Sequence, residues 1–366
     1  VLIFTDGGIV LAAPCALDLS RVWRICGWCA ALTGAGAPAI IHHLRRLSQR
    51  KAEGRLWSMS ERFCCVCQAP LAEEARTIGK RCYCPEHYAR VTRERGHFWH
   101  AGWVLVAALI GFILLVVGVD RFAHPAIGGG LLVAAGVVLA LVPALIWMLF
   151  FYLQDRLEPE PKRYVIGVFV LGALLATAIG IPLVNDLFRV SDWLYESALV
   201  QLLGGILVVG FAQEFLKYAA VRYTMYGSPE FDERMDGVIY GTAAGLGYAT
   251  MLNIHYVLSN AGVDLSVGVI RIVITALAQA SFSGIVGYFL AQDKFEGKPV
   301  WWMPLGLALA AALNGTFVFV RDLASVRGLQ FNPWNGLILA AAVALVVLGA
   351  LFWLMRKANR ATLAEV

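Results

Sequence analysis

The chain is short of charge, and beyond residue 84 it has no cysteine. Charged residues make up 15% of its 366 positions against 59% hydrophobic, and all 8 cysteines lie within the first 84. So little charge over so long a chain, with a mean hydropathy of +0.69, excludes an ordinary water-soluble globule and indicates a polytopic membrane protein. No clear signal peptide is visible at the start, which is Val1 rather than Met.

Long apolar runs are what the chain has instead. A helix needs roughly 20 apolar residues to cross a bilayer. Candidate spans occur at about 102–119, 127–152, 164–185, 197–222, 237–258, 266–291, 302–320 and 336–355. Continuous runs mean helices rather than a barrel, because backbone groups in lipid must be satisfied within the segment. The expected fold is all-α: a transmembrane bundle of about eight spans over 100–357, with a tail at 358–366. A shorter run at 25–41, flanked by Arg21 and Arg24, is a candidate further span within an N-terminal segment 1–41.

The net charge of +5 is informative through its placement. Lys and Arg favour cytoplasmic loops. Arg45, Arg46, Arg50, Lys51, Arg55, Arg90, Arg93 and Arg95 mark 42–99 as cytoplasmic. Alternation then places Arg156, Lys162 and Arg163, Arg222 and Arg234, Lys294 and Lys298, and the C-terminal Arg356, Lys357 and Arg360 on the same side. Only Arg121, Arg189, Arg321 and Arg327 fall outside, so the chain is expected in a membrane, with the bacterial cytoplasmic membrane as its location. The basic run after His42-His43 reads as a membrane-edge segment attracted to anionic headgroups, and no nucleic acid is expected as a partner.

Within 60–90, Cys64-x2-Cys67 and Cys84-x2-His87 form two knuckles that can close around one tetrahedral zinc with three thiolates and an imidazole. The reducing cytoplasmic side disfavours disulfides. Cys65 and Cys82 are alternative ligands. A metal clip suits so small a module, which builds little core of its own. Cys26 and Cys29 share the spacing but read as buried small hydrophobes.

The stretch AQEFLKY, 212–218, interrupts an apolar run with Gln213, Glu214 and Lys217. An ionisable side chain at mid-membrane costs about 2.5–3.5 kcal/mol on the insertion scale and often marks function. Glu214 and Lys217 are three apart and share a helix face; the plainer reading is an internal ion pair that orders the helices. Asn253, His255, Arg271, Gln279 and Asn314 put further polar groups on the next three spans, and one mid-membrane cavity would gather them all. The small residues of GTAAGLG, 241–247, would let helices approach around it. The acidic loop SPEFDERMDG, 228–237, reads as a solvated turn leading into a helix N-terminus.

Three stretches in order, GFAQEFLKY, FDERMDGVIYGTAAGLGYATMLNIHYV and RIVITALAQASFSGIVGYFLAQDKF, resemble the PrsW family of intramembrane metalloproteases, itself similar to the CAAX-prenyl protease and bacteriocin-processing superfamily. LVPALIWMLFFYLQDRLEPEP, 141–161, resembles the family's opening helix, and the resemblance covers about 141–357. It implies a zinc site in the membrane. Carried over position by position, the family's Glu-Glu-x-x-Lys reads Gln213-Glu214-Phe215-Leu216-Lys217 here. Its Glu-Asn reads Leu252-Asn253, its His before Ala-x-x reads Gln279, and its His-x-x-x-Asp or Asn reads Asn314 to Val318. The departures fall on metal-binding and water-activating positions. Amide oxygens suit harder ions than zinc, and without a bound ion no water is activated near neutral pH.

The resulting expectation is a non-catalytic pseudoprotease that binds a membrane or peptide partner, with Glu214 as the family-equivalent catalytic position and zinc confined to the N-terminal module. Two alternatives stand beside it: an active metalloprotease with an altered ligand set such as His255, and a transporter of a small solute or ion.

Overall fold

A computed structural model describes residues 2–5, 8–11, 62–64, 67, 69–71, 76–78, 81–92, 98–123, 129–154, 160–259, 265–326 and 333–364. The candidate span at 25–41, Cys26, Cys29, Cys65 and the basic run after His42-His43 lie outside these. At the N-terminus, Leu2–Thr5 pairs antiparallel with Gly8–Leu11.

Residues 63–366 belong to a separate unit. Its first part is small. The backbone N–H of Cys64 donates to the carbonyl of Ala69 at 2.9 Å and closes a tight turn around Cys67. A hairpin of Arg76–Ile78 and Arg81–Tyr83 follows, with Thr77 opposite Cys82. Helix α1 (Pro85–Thr92) comes next. Pro85 fits the first helical position, where the missing N–H needs no partner. The Cys84 carbonyl accepts the first helical bond from Tyr88 at 2.8 Å.

The helices of the bundle are α2 (Phe98–Ala123), α3 (Gly129–Tyr152), α4 (Lys162–Leu175), α5 (Val190–Trp193), α6 (Ala198–Gly204), α7 (Phe211–Thr224), α8 (Arg234–Ser259), α9 (Leu265–Glu296), α10 (Trp302–Val326) and α11 (Pro333–Ala364). Two of the long segments carry π turns, at Ala176–Gly180 and Leu183–Leu187 after α4, and at Gly205–Gly210 between α6 and α7. Such turns insert a residue into the helical ladder and are frequent at functional sites.

Among the described residues, 7 helices are long and apolar enough to cross a membrane, where the hydropathy of the sequence suggested about eight. The difference is α8. Every residue from Arg234 to Thr250 in it is buried. Its sides are taken by α9, α4 and α3 rather than by lipid, so glycine, threonine, tyrosine and asparagine serve where leucine would be needed against hydrocarbon. The small residues have the use expected of them: a Cβ at Gly245 would lie 2.5 Å from the Gln279 carbonyl oxygen of α9. A helix pair this close gains packing that bulkier residues would prevent.

The acidic loop before α8 is not a solvated turn. Glu233 and Asp236 are buried. Oδ2 of Asp236 accepts from the N–H groups of Asp232 and Glu233 at 2.7 and 2.6 Å, the back-reaching half of a capping box. Lys294 of α9 donates to the carbonyls of Tyr226 and Phe231 at 2.6 Å each and holds the same loop down.

Candidate functional site

The chain folds so that three helices bring their polar side chains to one point. The π turn at Gly205–Gly210 leads into α7 and crosses α10 closely, with Gly315 against the backbone of Gly205 and Ile206. That crossing sets Gln213 and Glu214 opposite Asn314. Gly245 lets α9 lie against α8, which brings Gln279 in from the other side.

The result is a closed hydrogen-bonded cluster. Glu214 and Lys217 are 0% and 1% exposed, so the pair has no water to fall back on. Nζ of Lys217 donates to Oε1 of Glu214 at 2.6 Å and to Oε1 of Gln279 at 2.5 Å. Nε2 of Gln279 donates to Oδ1 of Asn314 at 3.1 Å and to Oε1 of Gln213 at 3.3 Å. Nδ2 of Asn314 donates to Oε1 of Glu214 at 2.9 Å and to Oε1 of Gln213 at 3.0 Å. A buried ion pair of this kind needs further hydrogen-bond partners for its lone pairs and protons, and here Gln279 serves Lys217 while Asn314 and Ser283 serve Glu214.

Five of the residues singled out from the sequence therefore meet: Gln213, Glu214, Lys217, Gln279 and Asn314. Leu252 lies close by, packed with Leu216 and Tyr248. The other polar groups do not join, which corrects the expectation of a single cavity. Asn253 turns to α9 and donates to the carbonyl of Ile272 at 3.2 Å. His255 is exposed. Arg271 stacks on Tyr256 instead, with its guanidinium 3.8 Å from the ring centroid. Ser283 was missed: its Oγ donates to Oε2 of Glu214 at 3.3 Å and to the carbonyl of Gln279 at 2.9 Å. It stands four residues after Gln279, on the same helix face, and that spacing was a legible signal.

Zinc takes imidazole, thiolate or carboxylate. In this cluster only Glu214 is of that kind, and an ammonium already rests on it. The residues do not fit a zinc ion.

The N-terminal module does fit one. Ligand atoms of Cys64, Cys67, Cys84 and His87 all lie within 4.8 Å of one another, and these four form the one group of three or more His, Cys, Asp and Glu able to hold a metal among the described residues. Nδ1 of His87 is 3.0 Å from Sγ of Cys84 and 3.7 Å from Sγ of Cys64. For a tetrahedral ion with a Zn–S bond of about 2.3 Å and a Zn–N bond of about 2.0 Å the N···S edge is about 3.5 Å, so the Cys64 spacing is close to it and the Cys84 spacing is somewhat shorter. Cys82 sits in the hairpin, outside the group.

Comparison with known proteins places this arrangement. Residues 160–354 match the profile described as PrsW family intramembrane metalloprotease. The chain is 30% identical over 179 residues to Protease PrsW of Halalkalibacterium halodurans, covering 49% of this chain and 79% of that one. It is 32% identical over 167 residues to Protease PrsW of Geobacillus kaustophilus, covering 46% and 68%. It is 25% identical over 229 residues to Protease PrsW of Shouchella clausii, covering 62% and 98%. No solved structure matches. The matched region holds the whole buried cluster and exceeds half of the sequence, so this integral membrane protein belongs to the PrsW family of intramembrane metalloproteases.

Proposed function

We propose that this chain is a pseudoprotease of its family: it binds a transmembrane or peptide partner through the membrane bundle and does not cut it. One observation carries the reading. The ammonium of Lys217 bonds both Glu214 and Gln279, the residues that stand at the family's acid and imidazole positions. The positive charge a metal would contribute is supplied from within the chain, and the surrounding amides are spent on one another. A carboxylate held in this way has neither an activated water to work with nor an open side from which to polarise one.

In the same reading the module of Cys64, Cys67, Cys84 and His87 holds a structural zinc on the cytoplasmic side, together with the C-terminal tail, in a bacterial cytoplasmic membrane. Four protein ligands leave no open position for catalysis, which is the mark of a structural site. The module would give the partner a second surface to meet outside the membrane.

The active-protease alternative needs a rebuilt ligand set. His255 is the one histidine within residues 160–354, and that side chain is exposed, with no group of metal ligands around it among the described residues. The test is cleavage of a transmembrane test peptide in liposomes by the wild-type chain and by Glu214→Ala. The expected result is no cleavage by either. Cleavage by the wild type that Glu214→Ala abolishes would overturn the proposal.

A further inference from the structure

A second polar group gathers where α8 ends, α9 begins and α10 ends. Arg271 of α9 lies over the ring of Tyr256 of α8. Nε of Arg321, on α10, donates to Oδ1 of its neighbour Asp322 at 2.8 Å. Oδ2 of Asp322 accepts from the hydroxyl of Tyr195 at 3.4 Å, from the connection between α5 and α6. Arg271 feels the charges of both Arg321 and Asp322, and Tyr195 those of both arginines. Four separated parts of the chain thus bring two guanidiniums and two phenols around one carboxylate.

That carboxylate is already engaged. Arg321 and Asp322 form a half-buried pair, with side chains 16% and 18% exposed. Among the described residues, Arg271 has no carboxylate within ion-pair distance, and the charges that act on it are those of Arg321 and Asp322. The group therefore carries an excess positive charge at a place that water reaches only in part.

Its depth says what could answer that charge. Arg271 and Arg321 stand roughly two helical turns, about 11 Å, along their helices from Gln279 and Asn314. Arg321 falls at the end of the apolar stretch Trp302–Asp322, and Arg271 is one to two turns inside the stretch Ser266–Glu296. A bilayer whose apolar core matched these stretches would give way to headgroups near this level. Beside it Tyr195 is 60% exposed, and Leu199, Leu203 and Leu207 present an exposed apolar face one turn apart along α6 and the π turn that follows. A guanidinium fork matches phosphate oxygens in two parallel bonds.

We propose that Arg271 and Arg321, with Tyr195 and Tyr256, form a phosphate-binding site that holds the phosphodiester of an anionic phospholipid headgroup, whose acyl chains lie along Leu199, Leu203 and Leu207. The site is separate from the Glu214 cluster and does not depend on whether that cluster is catalytic.

The full-length protein in detergent is titrated with short-chain phosphatidylglycerol and, separately, with inorganic phosphate, while its thermal unfolding midpoint is followed. The lipid should raise the midpoint saturably, and Arg271→Gln should weaken the apparent affinity at least about tenfold. Inorganic phosphate at the same concentrations should give no saturable rise. An equal rise with equal affinity in Arg271→Gln, or no rise in the wild type, overturns the site. Saturation by inorganic phosphate as tight as by the lipid overturns the headgroup assignment. Should Arg271→Gln fail to fold, Arg271→Lys keeps the charge and loses the fork, and an unchanged affinity in it overturns the site as well.

Discussion

Nζ of Lys217 lies 2.5 Å from Oε1 of Gln279 and 2.6 Å from Oε1 of Glu214, so one ammonium ties the acid of its own helix to an amide two helices further along the chain. Removing one partner of a buried pair leaves a charge without an answer, which costs about 3–5 kcal/mol, whereas removing both is often close to neutral. Lys217→Met should therefore destabilise the protein strongly in detergent unfolding. Adding Glu214→Gln to it should recover most of the loss, because an amide needs no counter-charge. A double variant no more stable than Lys217→Met would mean that the pair is not what holds the cluster.

The connection before α4 carries a pH-dependent contact. Burial holds the Glu160 carboxyl up at about 7 against 4.5 for a free one, even though hydrogen bonds from Tyr240 and with Asp236 pull the other way and the nearby acids Asp232 and Glu230 add to the rise. The folded protein then keeps a proton that the unfolded chain gives up. The stabilisation is complete below pH 4.5 and is lost as pH rises through about 7. The loss is roughly 3 kcal/mol at most for a rise of this size. Thermal unfolding between about pH 5 and about pH 8 should show stability falling with pH. Glu160→Gln, which cannot titrate, should flatten that slope, and an unchanged slope in it would assign the dependence to other groups.

The close crossing of α10 on the Gly205–Gly210 turn should tolerate no side chain. A Cβ at Gly315 would meet the backbone of Ile206 and Gly205, whereas one at Gly349 meets nothing within 4 Å. Overpacking of a tight contact costs about 1–3 kcal/mol. Gly315→Val should lower stability by that order and displace Asn314 from Gln213 and Glu214. Gly349→Ala should leave stability unchanged or raise it slightly, since alanine is the better helix former. Equal effects at the two positions would contradict the crossing.

Much of this was legible in the sequence where the signal is local. The cluster of Cys64, Cys67, Cys84 and His87 announces itself by spacing, and Glu214, Lys217, Gln279 and Asn314 stand out against the apolar runs that contain them. What was hidden depends on depth and on which face a residue takes. Arg271 and Gln279 share a helix but sit about two turns apart, so they serve different groups. Asn253 and His255 look like cluster members by composition, yet one turns to the Ile272 carbonyl and the other outward. Helix α8 is less apolar than a spanning helix should be because protein surrounds it, a property of the finished bundle rather than of the segment. The acidic loop read as solvated because nothing in its own residues reveals Lys294 or Glu160, which reach it from elsewhere in the chain.

The account rests most heavily on where zinc binds. Zinc per chain should be measured on the detergent-purified full-length protein and on a variant in which all five cysteines of the module, Cys64, Cys65, Cys67, Cys82 and Cys84, are replaced by serine. The prediction is one zinc in the wild type and none in the variant, which leaves the Glu214 cluster to its own ammonium. Zinc retained by the variant would place a metal in the membrane site and contradict the pseudoprotease.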